Sequence, residues 1–207
     1  MKCLVVLGAL ISWSGVVTAQ TEVEPEGPIQ FRTPEALGRH VLTSLRHGNY
    51  QALRTPSAFS LSEKQIRGLY EALIKQVEDR IKNQELKDAD AGRAMIESLR
   101  RDLGDAKRLE RELKQFRDQE AAFRKSYDTV RAQSKTQNFK WADVRFLKVD
   151  ASKLTRDEEL GIQEGPLTLH FQAGDQMFRL KLSDCANTPT LGWLIGPRTL
   201  KLEPIQK

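Results

Sequence analysis

Residues 167–182 read LTLHFQAGDQMFRLKL, and this stretch decides the fold. Leu167, Leu169 and Phe171 alternate with Thr168 and His170, and Phe178, Leu180 and Leu182 alternate with Met177, Arg179 and Lys181. A period of two marks strands with one apolar and one polar face. Gly174-Asp175 supplies a two-residue turn. Folding about it sets Phe171 opposite Phe178, Leu169 opposite Leu180 and Leu167 opposite Leu182. All three apolar pairs coincide, and a slip of one residue would send one strand's apolar set to the wrong face. The stretch is therefore predicted to be an antiparallel hairpin.

Working outward, residues 187–190 (NTPT) form a loop, and residues 191–195 and 200–202 read as one last strand bent at Gly196-Pro197. Upstream, Val144, Phe146 and Lys148 alternate with Arg145, Leu147 and Val149. Apolar residues fall on both phases, so the facing of this first strand stays open. A roughly four-stranded antiparallel meander over residues 139–203 is expected.

Before residue 133 the period is helical. Thr33 is suited to an N-cap, Pro34 to the first helical position and Glu35 to the positive end of the dipole. Leu37, Val41 and Leu45 share a face, and His47-Gly48 makes a stop. Residues 49–60 read as a connector from which Tyr50, Leu53 and Phe59 pack back. A second helix opens at Ser60-Leu61-Ser62-Glu63, a capping-box pattern, and carries Ile66, Leu69, Leu73, Val77 and Ile81. Residues 83–92 are the next turn. The third helix has two seams. Ile96, Leu99, Leu103 and Ala106 make the first; Leu109, Leu113, Phe116, Phe123, Tyr127 and Val130 make the second, interrupted by Glu120. The seams are offset by one residue, and Gly104 lies just before the slip, so a kink or break is expected there. The second and third helices form an antiparallel hairpin. The fold class is α+β: residues 33–205 form one domain, helical over 33–133 and β over 139–203.

Residues 1–19 carry an address. Lys2 precedes an apolar run from residue 4 to residue 17, and Val17-Thr18-Ala19 stands before Gln20. This pattern reads as a Sec-type signal peptide cleaved near Ala19-Gln20, and it implies a periplasmic or secreted product. The run falls short of the roughly 20 apolar residues of a membrane-spanning helix, so no stable membrane insertion is expected after cleavage. Residues 20–32, acidic and interrupted by Pro25, Gly27 and Pro28, read as a flexible leader. Cleavage removes Cys3 and leaves Cys185 alone, which excludes an intramolecular disulfide. No Asn-x-Ser/Thr sequon occurs, and with the missing disulfide this favours a bacterial periplasm.

The net charge of +5, from 33 Lys+Arg and 28 Asp+Glu, is small and spread along the chain. In the third helix Arg100, Arg101, Lys107, Arg108, Arg111, Lys114 and Arg117 alternate with Asp102, Asp105, Glu110, Glu112 and Asp118. Mixed signs describe a solvated helix with local ion pairs and argue against nucleic acid as a partner.

Motifs of chemistry are sparse. There is no G-x-S-x-G, S-x-x-K, P-loop or G-x-G-x-x-G. His40 and His47 stand about 10 Å apart along a helix, too far to share a zinc ion, and His170 lies on another element, so neither metal nor cofactor is expected. The hairpin register puts His170 opposite Arg179 and Thr168 opposite Lys181. That makes either an anion- or carboxylate-binding patch or an ordinary solvated sheet face. Trp141, Trp193 and Phe178 either floor a ligand cavity or fill the core. Cys185 is a core thiol, a reactive thiol or a link between two copies. Asp143, Asp184 and His170 are nominal acid–base candidates without a spacing that demands proximity.

Helices first, then antiparallel strands, with Trp193 in the last strand and a hairpin ending Leu180-Lys181-Leu182-Ser183-Asp184, resemble the secreted proteins of cystatin-like or nuclear-transport-factor-2-like fold. The resemblance implies a curved sheet wrapped on helices, with a cone-shaped pocket. It departs from that group in lacking a hairpin before the third helix and in its long helical hairpin, and it assigns no functional residue. The function expected is an exported, soluble, non-enzymatic domain that binds an unknown protein or small molecule, with ligand contacts at Trp141, His170, Arg179, Lys181 and Trp193. Two alternatives stay open: a chaperone-like clasp made by the helical hairpin, and an enzyme on the same fold.

Overall fold

The computed structural model describes residues 31–205; the expected signal segment and most of the expected leader lie outside them. Helix α1 spans Pro34–His47, capped by the Thr33 side chain and ended by Gly48 in the left-handed region. The connector contains a short helix, α2 (Tyr50–Arg54), and a 3-10 turn at Ala58–Ser60, with Tyr50, Leu53 and Phe59 buried as expected. Helix α3 spans Glu63–Lys82. Its capping box is Ser62 with Gln65, two residues beyond the expected Ser60–Glu63 pair, because Ser60 is already spent on the Thr55 and Ser57 carbonyls.

The expected third helix is two. Helix α4 (Ala89–Gly104) ends, and α5 (Ala106–Thr136) begins, at Asp105, which is the C-cap of one and the N-cap of the other. The phase slip therefore marks a full break. It lets each seam face its own neighbours: Ile96 and Leu99 are buried on α4, and Leu109, Leu113, Phe116, Phe123, Tyr127 and Val130 on α5. Glu120, the polar residue in the second seam, accepts from Arg54 at 2.8 Å and from the Tyr50 hydroxyl at 3.4 Å. At the α4–α5 junction Arg108 pairs with Asp102 and Glu112, and Tyr70 of α3 donates to Glu112 at 3.1 Å.

Six strands follow: β1 (Val144–Asp150), β2 (Thr155–Arg156), β3 (Gln163–Ala173), β4 (Gln176–Thr188), β5 (Gly192–Ile195) and β6 (Leu200–Pro204). They occupy about four positions across the sheet, since β5 and β6 both pair with β4, one after the other, and short β2 pairs with the start of β3. This matches a last strand bent at Gly196-Pro197. The β3–β4 register is the expected one, Phe171↔Phe178, Leu169↔Leu180 and Leu167↔Leu182. The open facing of β1 has a physical cause. Phe146 pairs with Phe171 and Lys148 with His170, so Leu147 is an extra residue in a β-bulge. Phe146 and Val149 both reach the apolar side as a result.

Helices α1 and α5 cover that side. A Cβ added to Gly38 of α1 would lie 2.7 Å from Val149 Cγ2 and 2.8 Å from Leu169 Cδ2, so the helix rests on the sheet at this glycine. Gly38→Val is expected to lower stability by about 1–3 kcal/mol through overpacking, read as a fall in the urea midpoint at unchanged slope. A midpoint equal to wild type would show that the sheet yields. The fold also begins earlier than expected: Phe31 is buried and its carbonyl accepts from Trp193 N at 2.8 Å, so the leader does not extend to residue 32.

Candidate functional site

The outer sheet face carries the residues first singled out. His170 stands between Lys148 and Arg179, and Thr168 beside Lys181, as the register requires. On β6 a single carboxylate, Glu203, is shared by three cations, so Arg179 and Lys181 are engaged while the face stays net positive. Glu203 accepts from Arg179 at 2.6 Å and from Lys181 at 3.2 Å, and Lys201 lies 2.9 Å away. Lys201 and Lys181, with Arg179, hold the Glu203 carboxyl down at about 2. Burial, then Lys148, lowers the His170 pKa against the opposing charge of Asp150, and this favours the neutral imidazole. The face is a solvated ion-pair lattice, which favours the bland reading of His170, Arg179 and Lys181.

The tryptophans do not share a cavity. Trp141 lies in a 3-10 turn, donates its indole N–H to the Arg131 carbonyl at 3.1 Å and packs on Phe139 and Phe171. Trp193 is buried in β5. Phe178 stacks on Phe171 at 5.5 Å between ring centres. All three are core. The histidines are separate too: His40 bonds the Ala52 carbonyl, His47 is exposed, and no group of three metal-ligating side chains exists among the described residues.

A strongly apolar cavity lies elsewhere, between the helical layer and the far end of β4. Leu69, Tyr70 and Leu73 of α3, Leu99 of α4 and Phe116 of α5 form one wall. Leu160 and Ile162 close a side, and Cys185, Ala186 and Thr188 of β4 with Leu194 of β5 form the other wall. Its volume of about 90 Å³ is several times what one water molecule needs. A second bulge shapes it. From Leu167↔Leu182 to Gly165↔Cys185, β3 advances two residues and β4 three. The added residue brings Cys185 and Asp184 both to the cavity lining, where strict alternation would have separated them.

Asp184 is the distinctive group. Its half-buried carboxylate rests against Gly196. Burial raises its pKa, and Arg198, exposed and outside the lining, offsets this only in part. Burial pushes the Cys185 thiol up, with Asp184 adding to the effect, so Cys185 stays a protonated core thiol and not a nucleophile. Tyr70 spends its hydroxyl on Glu112 and presents its ring to the cavity.

Of the acid–base candidates, only Asp184 is in the cavity. Asp143 is exposed in the turn beside Trp141, and His170 pairs with Arg179, five residues or about 16 Å along β4 from Asp184. The structure does not bring the three together. Sequence reasoning placed Leu69, Leu73, Leu99 and Phe116 in the core, and nothing in their spacing marks a void between them. The available signal was Ser183-Asp184-Cys185, a polar pair interrupting an otherwise alternating strand. No family model, curated protein or solved structure matches this chain.

Proposed function

We propose that this chain is an exported, non-enzymatic binding domain that holds a small apolar ligand between α3, α4 and the β4–β5 end of its sheet. The observation that carries the reading is the cavity itself, whose walls are almost wholly aliphatic and aromatic. Ligand sites have this composition: apolar walls and few polar groups that fix orientation. Export rests on the signal-like residues 1–19, and a cystatin-like relationship would fit a ligand site enclosed by helices and sheet.

The alternative of a helical clasp for unfolded clients needs apolar surface on the helices. Helix α4 instead turns Met95, Ile96 and Leu99 inward, and the one large hydrophobic side chain exposed among the described residues is Met177, on the sheet. The cavity is the better supported site.

The test is a thermal shift of the chain from Gln20 onward with 1-hexanol as probe. The wild type is expected to gain stability with added probe, as linkage requires when only the folded state binds. Ala186→Leu, which fills the cavity from β4, is expected to fold and lose the shift. Absence of a shift in the wild type, or an equal shift in the folded variant, overturns the proposal.

A further inference from the structure

The outer face of the sheet carries charge out of proportion to its size. Along β1, β3, β4 and β6 the outward positions hold Arg145, Lys148, Arg179, Lys181 and Lys201 against two carboxylates, Asp150 and Glu203. Strand spacing and a period of two put all of them on a patch about 14 Å on a side. Both carboxylates are engaged: Glu203 is shared by Arg179, Lys181 and Lys201, and Asp150 accepts from Ser152 N at 2.9 Å. The pairing orients individual side chains and leaves three positive charges over. The chain's whole excess is +5, so this one face carries more than half of it, while α5 mixes both signs. No single cation is set up to hold a small anion. Charges packed within about a screening length of 10 Å act together instead, on an extended anionic surface.

A second observation lies at one end of the patch. Met177, two residues before Arg179 on the same face of β4, is the one large hydrophobic side chain exposed among the described residues. Ile205, the outward position after Glu203, is half-buried and donates its N–H to the Met177 carbonyl at 2.8 Å. The cationic field therefore ends in an apolar corner. An acidic polysaccharide or an acidic protein surface would use the charge and leave Met177 in water. A bilayer containing anionic lipid offers phosphates at the level of the cations and acyl carbon just beneath them, and lysine and arginine stems lie well along such a boundary.

We infer that the outer sheet face docks peripherally on an anionic phospholipid surface, with Lys148, Arg179, Lys181 and Lys201 toward the phosphates and Met177 at the acyl boundary. This face lies across the sheet from α1 and α5, and the assignment does not depend on the cavity.

The experiment measures co-sedimentation with vesicles of phosphatidylcholine alone and of phosphatidylcholine and phosphatidylglycerol in equal parts. It uses the chain from Gln20 onward, which keeps every described residue and omits the apolar run of residues 4–17 that would itself bind lipid. Binding is expected to the mixed vesicles and not to phosphatidylcholine alone, and it weakens as salt is raised. Lys148→Gln combined with Lys201→Gln is expected to bind about 25-fold more weakly, at about fivefold per charge. Lys107→Gln combined with Lys114→Gln removes the same charge from exposed positions of α5 and is expected to stay within about twofold of wild type. Met177→Ser is expected to lose about threefold. No binding of the folded wild type to the mixed vesicles, or equal losses in the two double variants, overturns the assignment. Capture of soluble dextran sulfate in place of vesicles, indifferent to Met177→Ser, overturns it in favour of a polyanionic polymer.

Discussion

Phe178→Ala is expected to lower the unfolding free energy by about 3–5 kcal/mol, enough to leave a marginally stable domain partly unfolded. Phe178 is fully buried at the centre of the sheet's apolar face. It stacks on its cross-strand partner Phe171 at 5.5 Å and packs against Phe139 at 4.6 Å, which in turn meets Trp141 at 5.1 Å. Truncation removes the transfer energy of the ring and leaves a void that the three remaining aromatic groups, held by strands and turns, cannot close. Phe178→Leu keeps most of the volume and is expected to lose less than half as much. Urea denaturation followed by tryptophan fluorescence measures both, since Trp141 sits in the same cluster. Equal losses in the two variants would mean that ring shape, and not volume, holds the cluster.

The Phe171–Phe178 pairing at the centre of that cluster was legible because its signals are local. The period of two and the Gly174-Asp175 turn both lie within residues 167–182, and together they permit one register. The break at Asp105 was legible for the same reason: a one-residue offset between two seams can only come from a rotation of the helical face. Less was visible where the deciding partner is far along the chain. Phe31 reads as the end of a polar leader, and only Gly192 and Trp193, at the other end of the chain, make it part of the fold. Arg179 and Lys181 read as a free cationic pair because Glu203 depends on where β6 joins β4. Leu147 hid the facing of β1, since one inserted residue inverts every later position. The cavity was the hardest to see. Its apolar lining residues have the spacing of core residues, and a void is a property of how three helices and three strands fail to meet.

The buried charges at the α4–α5 junction give the other large effect. Asp102 and Glu112 are nearly inaccessible, and Arg108 bridges them; Asp102 Oδ2 has no partner among the described residues. Removing one member of a buried ionic cluster strands the others, at about 3–5 kcal/mol when all are buried. Arg108 is partly exposed, so Arg108→Met is expected to cost about 2–4 kcal/mol at pH 7. The deficit depends on pH in a determined direction. Burial raises the pKa of Asp102 and of Glu112, against the lowering effect of Arg108 on both and of Tyr70 on Glu112. A carboxyl whose pKa is higher folded than unfolded binds its proton more tightly in the folded state. Stability therefore falls as pH rises from the ordinary carboxylate value through the raised one, and the full penalty is present above it. Loss of Arg108 raises both groups further, which widens that window upward. The stability gap between wild type and Arg108→Met is then expected to narrow from pH 7 to pH 5, as the stranded carboxylates take up protons in the variant. Urea melts of the two proteins at both pH values measure the gap, and a gap unchanged by pH would mean that Arg108 acts there through its packing and not through its charge.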